Sequence, residues 1–268
     1  MNRLCITLIA LAAALAVAGC ATTTKSGTVG VERSQLMLVS SEQVDQAASK
    51  QYLQLTQKAA QQGTLNQDPA QTQRVRDIAA KLIPQTAVFR PEAPGWKWQV
   101  NVLTSKDVNA WCMPGGKMAV YTGLIEKVRP TDDELAAVMG HEIAHALREH
   151  GRERVSQQIA TQTVVGLGAI LLGVGQTGAD LGGMVAQVTV GLPHSRGQEQ
   201  EADRIGVELA ARAGYDPRAA ITLWEKMAKA GGGAPPEILS THPAPATRIE
   251  DLKVYSAKVL PLYEAAKR

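Results

Sequence analysis

The chain has 268 residues, 45% of them hydrophobic and 20% charged, enough to bury a full core as one compact domain or two small ones. Aromatic residues are scarce at 4%, with a single Phe, while Ala and Gly abound, which favours closely packed helices over a β-sandwich. A formal charge of +3, with no basic run, argues against nucleic acid as a partner.

The first residues read as a targeting segment. Arg3 supplies one positive charge, and Leu4 to Val17 is almost wholly apolar but short for a spanning helix. The segment closes on Val17-Ala18-Gly19-Cys20, which resembles the bacterial lipobox, whose cysteine is lipidated and becomes the mature N-terminus. An ordinary signal peptide with a chance cysteine is the plainer alternative. Ala21, where an Asp would retain such a lipoprotein at the inner membrane, implies the outer membrane, periplasmic side. On this reading residues 1–19 are a lipoprotein signal peptide, 20–40 a lipidated tether, and 41–268 one functional domain. Of the three cysteines, Cys5 falls in the signal and Cys20 carries the lipid, so Cys112 has no partner for an internal disulfide and reads as a small buried side chain.

The tether starts polar and runs into Leu36-Met37-Leu38-Val39, an apolar patch expected to dock on the body. Ser40-Ser41-Glu42 opens a helix to about Gln62, stopped by Gly63, and a second helix follows Asp68-Pro69 with Val75, Ile78, Ala79 and Leu82 at helical spacing. The period then changes: Trp98, Val100 and Val102 alternate with polar residues as in a half-buried strand. Val108 to Met113, the turn Pro114-Gly115-Gly116 and Met118 to Tyr121 read as a β-hairpin. Thr131-Asp132-Asp133-Glu134 opens another helix. Residues 159–191, rich in Gly, Ala, Val and Leu, fit a helical hairpin over the protein's own core better than a membrane contact. Helices at about Gly197–Ala213, Pro217–Ala230 and Pro245–Ala266 complete the chain, with Gly231 to Pro236 as a mobile link.

His141-Glu142-Ile143-Ala144-His145 carries the strongest chemical signal. Helical residues four apart share a face, so both imidazoles can reach one Zn²⁺, and Glu142 can touch a water there without being a ligand. A catalytic zinc takes a third protein ligand and keeps one position open. Ser195 to Asp203 offers carboxylates: Glu199 and Asp203 share a helix face and Glu201 points elsewhere. With Glu199 on the metal, Asp203 stands behind it as an acceptor that can orient a ligand histidine. His150, five residues beyond His145, reads as a surface histidine.

H-E-I-A-H followed by S-R-x-x-E-x-E-A-D resembles the HtpX and CAAX-prenyl-endopeptidase family of gluzincin zinc metallopeptidases, in particular its periplasmic lipoprotein branch of the LoiP and BepA kind. Asn109-Ala110-Trp111, Pro114-Gly115-Gly116, Thr122-Gly123-Leu124, and Thr241-His242-Pro243 with Arg248 extend the match over about residues 30–253. The chain departs from HtpX-type members in lacking their transmembrane helices. It also has His194 where relatives carry Tyr, so His194 is not counted as a ligand.

The resemblance implies a predominantly helical α+β protein with a zincin-like metallopeptidase fold and a small sheet or hairpin beside the active-site helix. It implies one Zn²⁺ per chain on His141, His145 and Glu199, with Glu142 as base. His242 either donates to the oxyanion or, when neutral, takes the open metal position; Arg248 orients it or pairs with Asp203. The strand Met118–Tyr121, with Asn109, Met118, Ala119 and Val120 as substrate-binding residues, is expected to pair with an extended peptide. The function so implied is an endopeptidase degrading unfolded or misassembled envelope polypeptides in protein quality control. The competing reading is a chaperone-like assembly factor for outer-membrane proteins whose peptidase is latched or secondary.

Overall fold

The computed structural model describes residues 20–171, 181–230, 237–242 and 246–268; the signal segment 1–19 and the link 231–236 lie outside them. β1 (Cys20–Ala21) and β2 (Gln35–Leu36) pair antiparallel and close the N-terminal arm into a loop. The arm docks at the expected patch and also earlier. Met37 is buried and Val39 packs on the second core while Leu38 is 48% exposed, and Val29 and Val31 enter the main core, where the Val29 amide donates to Glu208. Two valines at alternate positions are too short a pattern to be read as a buried face.

Helix α1 (Ser41–Gln61) starts with a capping box between Ser40 and Gln43 and ends before Gly63, whose φ of 64° suits glycine. Asp68 caps α2 (Pro69–Leu82), which buries Val75, Ile78, Ala79 and Leu82 as their spacing requires. A 3₁₀ turn at Ile83–Val88 follows.

Three strands form the sheet: β3 (Gln99–Leu103), β4 (Ala110–Met113) and β5 (Lys117–Tyr121), in the order β3-β5-β4. β4 and β5 make the expected hairpin, and β3 joins β5 in parallel. Both faces are covered, and side chains alternate between two cores as the two-residue period dictates. Val102, Ala110, Cys112, Met118 and Val120 face the main core. Leu103, Trp111, Met113 and Ala119 face a second core with Val44, Ala48 and Tyr52 of α1.

The catalytic-motif helix α3 (Asp132–Leu147) begins at a Thr131–Glu134 capping box. α4 (His150–Leu171) follows, then α5 (Leu181–Ala186) and a π-turn at Gln187–Gly191. Met184, Val185 and Val188 close the second core, so the described part of this segment covers the protein's own interior. Among the described residues no helix is long and apolar enough to cross a membrane. Helices α6 (Arg196–Arg212), α7 (Ala219–Ala230), α8 (Glu237–Thr241) and α9 (Ala246–Ala266) complete the fold. α3 packs on α6, α7 and β4, and α9 packs on α6. This is a mainly helical α+β architecture with a small sheet beside the motif helix.

Candidate metal centre

Helix α3 presents His141 and His145 one turn apart, and α6 crosses it so that Glu199 and Asp203 face them. Two glycines permit the crossing: a methyl on Gly206 would lie 2.8 Å from the His141 nitrogen, and one on Gly140 would lie 2.9 Å from the Gly206 oxygen. His242 follows α8, held by its amide's bond to Ile238 O and by the His194 amide's bond to Thr241 O. The ligand atoms of His141, His145, Glu199 and His242 all lie within 4.8 Å of one another, and all four residues are buried. His145 Nε2 is 3.3 Å from Glu199 Oε1, and His242 Nδ1 is 2.9 Å from the same oxygen.

The hydrogen bonding behind His141 tests whether this set fits a cation. Its Nδ1 is 2.9 Å from Asp203 Oδ1. A carboxylate only accepts, so Nδ1 carries the proton and, in the neutral ring, Nε2 keeps a lone pair. That lone pair points at His145 Nε2, 3.1 Å away, and at His242 Nδ1, 3.3 Å away. Convergent ring nitrogens beside a carboxylate are the nitrogen and oxygen donor set of a zinc site, and the residues fit the ion.

Asp203 is fixed by Arg248, whose Nε and terminal nitrogen each approach it at 2.7 Å, and the same guanidinium reaches Glu199 at 2.6 Å. Arg248 therefore pairs with Asp203 and also reaches the His242 carbonyl at 3.4 Å. Trp224 supports both layers, edge-on to His141 and 4.1 Å below the Arg248 guanidinium. The sequence reading gave the helix at about Pro217–Ala230 but did not single out Trp224.

Charge follows from burial and neighbours. Burial opposes protonation of His141, but Asp203 and Glu199 outweigh it and lift its pKa to about 9. Burial pushes His145 well below the ordinary histidine range. Against its own burial, Glu199 is held well below the usual carboxylate range by His242 and its bonds to the other histidines. Glu142 is raised by burial, the direction a general base near neutrality needs. Its Oε1 is buried without a hydrogen-bond partner, 3.6 Å from His242 Nε2.

Several expected placements change. His150 is not on the surface but 0% exposed. On a continuous helix it would sit about 140° from His145. The chain instead turns at Glu149, φ 50°, so α4 restarts with the His150 ring against His145, Nδ1 to Nδ1 at 2.8 Å. Met118, Ala119 and Val120 cannot pair with a peptide, because β5 is the central strand and both its edges are already bonded to β3 and β4. Asn109 is 3% exposed, and its side-chain oxygen accepts from the Ala110 amide. The outer strand beside the motif is β4: its Cys112 lines, with Pro114, Glu142, His145, Thr189 and His194, a cavity of about 10 Å³, room for one water. His194 stacks on His242 at 4.9 Å between ring centroids and lies tilted by 45° against His145 at 4.1 Å, outside the ligand set. Cys112 is buried as expected, and burial pushes its thiol up. A wider groove of about 600 Å³, by Leu53, Arg76 and Trp98, has no carboxylate, histidine or cysteine in its lining.

Residues 69–256 match the model of peptidase family M48. The chain belongs to that family. M48 is a family of zinc metallopeptidases with a zincin-like fold, and the His141, His145, Glu199 and His242 cluster fits its single metal ion. The mitochondrial metalloendopeptidase OMA1 of Arabidopsis thaliana is 40% identical over 152 residues, which cover 56% of this chain and 30% of that protein. The beta-barrel assembly-enhancing proteases of Yersinia pestis and Escherichia coli K12 are 33% and 31% identical, covering 69% and 73% of this chain and 39% and 41% of theirs. The chain thus spans half or less of the length of these M48 relatives. The beta-barrel assembly-enhancing proteases among them support the BepA-like resemblance read from the motifs, and the mitochondrial members were not anticipated.

Proposed function

We propose that this M48 protein is a zinc endopeptidase, lipid-anchored through Cys20 at the bacterial outer membrane and facing the periplasm, that degrades unfolded or misassembled envelope polypeptides. The observation that carries the peptidase reading is the Glu142 Oε1, buried without a hydrogen-bond partner beside the four-residue ligand cluster. The lipobox-like Val17 to Cys20 and the relatives named beta-barrel assembly-enhancing proteases support the envelope setting. The mitochondrial relatives share the peptidase core and leave the choice of compartment to the N-terminal segment.

Held by His141, His145 and Glu199, zinc would lower the pKa of a water toward ~7 and polarise the scissile carbonyl. Glu142 takes the proton of the attacking water and returns it to the leaving amine. Asp203 and Arg248 keep His141 in the tautomer whose Nε2 is free, and Arg248 holds Glu199 in place. The extended substrate lies along β4, the outer strand, rather than β5.

His242 acts as a latch. Its Nδ1 already stands among the ligand atoms, and the cleft between β4 and the 187–194 segment is about 10 Å³, too small for a peptide. Opening must move His242 and the turn at Gln187–Gly191. The closed cleft also suits the second reading, an assembly factor for outer-membrane proteins whose peptidase stays latched. Protein lacking residues 1–20 decides between them. An endopeptidase cuts an unfolded substrate into peptides, stops on chelation and resumes with zinc. Suppression of aggregation with no cleavage, even after the His242→Ala change, would favour the assembly factor.

A further inference from the structure

Behind His145 runs a second buried polar chain that the mechanism above does not use. His145 Nε2 faces the ligand cluster, and its Nδ1 lies 2.8 Å from His150 Nδ1. Two ring nitrogens that close need a proton between them. His150 Nε2 lies 3.0 Å from Glu201 Oε2, and a carboxylate accepts only, so Nε2 is the protonated nitrogen of a neutral His150. His150 Nδ1 is then the acceptor, the proton sits on His145 Nδ1, and the His145 Nε2 lone pair is left for a metal.

Glu201 is held in turn. Arg148 Nε donates to its Oε2 at 3.0 Å, and Arg33 Nε to its Oε1 at 2.6 Å. Arg33 belongs to the N-terminal arm and is locked there: its terminal nitrogens bond both oxygens of Glu153, and its carbonyl accepts from Arg148 at 2.8 Å. His150 and Arg148 are 0% exposed and Glu201 is 7% exposed, so the contacts from His145 to Glu201 are buried and only the Arg33 end meets solvent.

We propose that Arg33 and His150 are positioning residues for the metal: Arg33 fixes Glu201, Glu201 fixes the ring of His150, and His150 sets the tautomer and ring plane of His145. The arm between Cys20 and α1 is then a working part of the metal centre and not only a tether. This rests on His145 being a zinc ligand. Partners behind a ligand of this kind are worth about 10–100-fold in metal affinity.

The test is the rate at which the full-chain zinc protein yields its metal to a chromogenic chelator. His150→Ala is expected to release zinc about 10–100-fold faster than wild type. His150→Asn, whose amide oxygen can take the place of Nδ1 as acceptor for the His145 proton, is expected to return to within a few-fold. Arg33→Gln changes a side chain that is 40% exposed, so the fold tolerates it, and it is expected to speed release several-fold. Release at the wild-type rate in Arg33→Gln or His150→Ala, while His145→Ala holds no zinc, overturns the proposal and leaves the ligand assignment standing. So does His150→Asn releasing as fast as His150→Ala. Full zinc in His145→Ala with unchanged release would overturn the assignment itself and the proposal with it.

Discussion

Gly206→Ala tests how the fold builds the site, because the residue carries no chemistry of its own. The new methyl would stand 2.8 Å from the His141 nitrogen, 3.0 Å from its Cα and 3.1 Å from the Gly140 carbonyl carbon. All three are backbone atoms of α3, so no side chain can swing aside. Ordinary contact begins near 3.4 Å, so α6 must retreat from α3 by at least about 0.6 Å, taking Glu199 and Asp203 with it. Zinc ligand distances hold to about ±0.2 Å, so the shift cannot be absorbed at the metal. Overpacking of this kind costs about 1–3 kcal/mol in stability. The expected outcome is zinc affinity reduced by about 10²-fold, measured by chelator competition, with a matching fall in peptidase activity; this follows because a 1.4 kcal/mol loss at the site is already tenfold. Gly197→Ala is the control: it lies on the same helix with open space around it, and should bind zinc as wild type does. Wild-type zinc affinity in Gly206→Ala would refute the argument that this crossing sets the ligand geometry.

Other outcomes follow from single residues. His242→Ala should raise cleavage of an unfolded substrate at matched zinc content, because the latch is gone; a fall of about 10²–10³ in kcat would mark His242 as an oxyanion donor instead. Cys20→Ser should abolish lipid attachment and shift the protein out of the membrane fraction; continued sedimentation with membranes after extraction of peripheral proteins would point to residues 159–191 as an anchor. Asp45 is raised from 3.8 to about 6, chiefly by burial and then by Glu149. The native state therefore holds this proton more tightly than the unfolded chain, and the stability it contributes is full below about pH 4 and lost as pH rises to about 6. Asp45→Asn should stabilise the protein by about 1 kcal/mol at pH 7, a figure discounted for the group's partial exposure, and leave it unchanged at pH 3.5. Thermal melts at the two pH values check this.

What the sequence made legible was local. His141, Glu142 and His145 declare themselves within five residues, helical spacing puts His141 with His145 and Glu199 with Asp203 on one face, and the family resemblance picks out Glu199. The caps at Ser40, Asp68, Thr131 and Ser195 start their helices within a residue or two of where the pattern placed them. What stayed hidden depends on contacts far apart in the chain. The parallel pairing of β3 with β5 puts the expected substrate strand in the middle of the sheet, and no hairpin signal reveals that. His150 was misjudged because the left-handed turn at Glu149, which ends one helix and starts the next, falls on a residue with no glycine signature. Gly140 and Gly206 look like ordinary helix-weakening glycines until the two helices are brought together. Arg33 lies 168 residues from Glu201, and nothing near it in the sequence names its partner.

The proposed role of Glu142 is that of a base beside a metal held by its neighbours. It is tested most directly by Glu142→Gln, assayed for cleavage of an unfolded protein at matched zinc content. The substitution keeps the size of the side chain and every ligand. The variant is expected to carry full zinc, keep its fold and cleave nothing. Cleavage at the wild-type rate by the zinc-loaded variant would contradict that role.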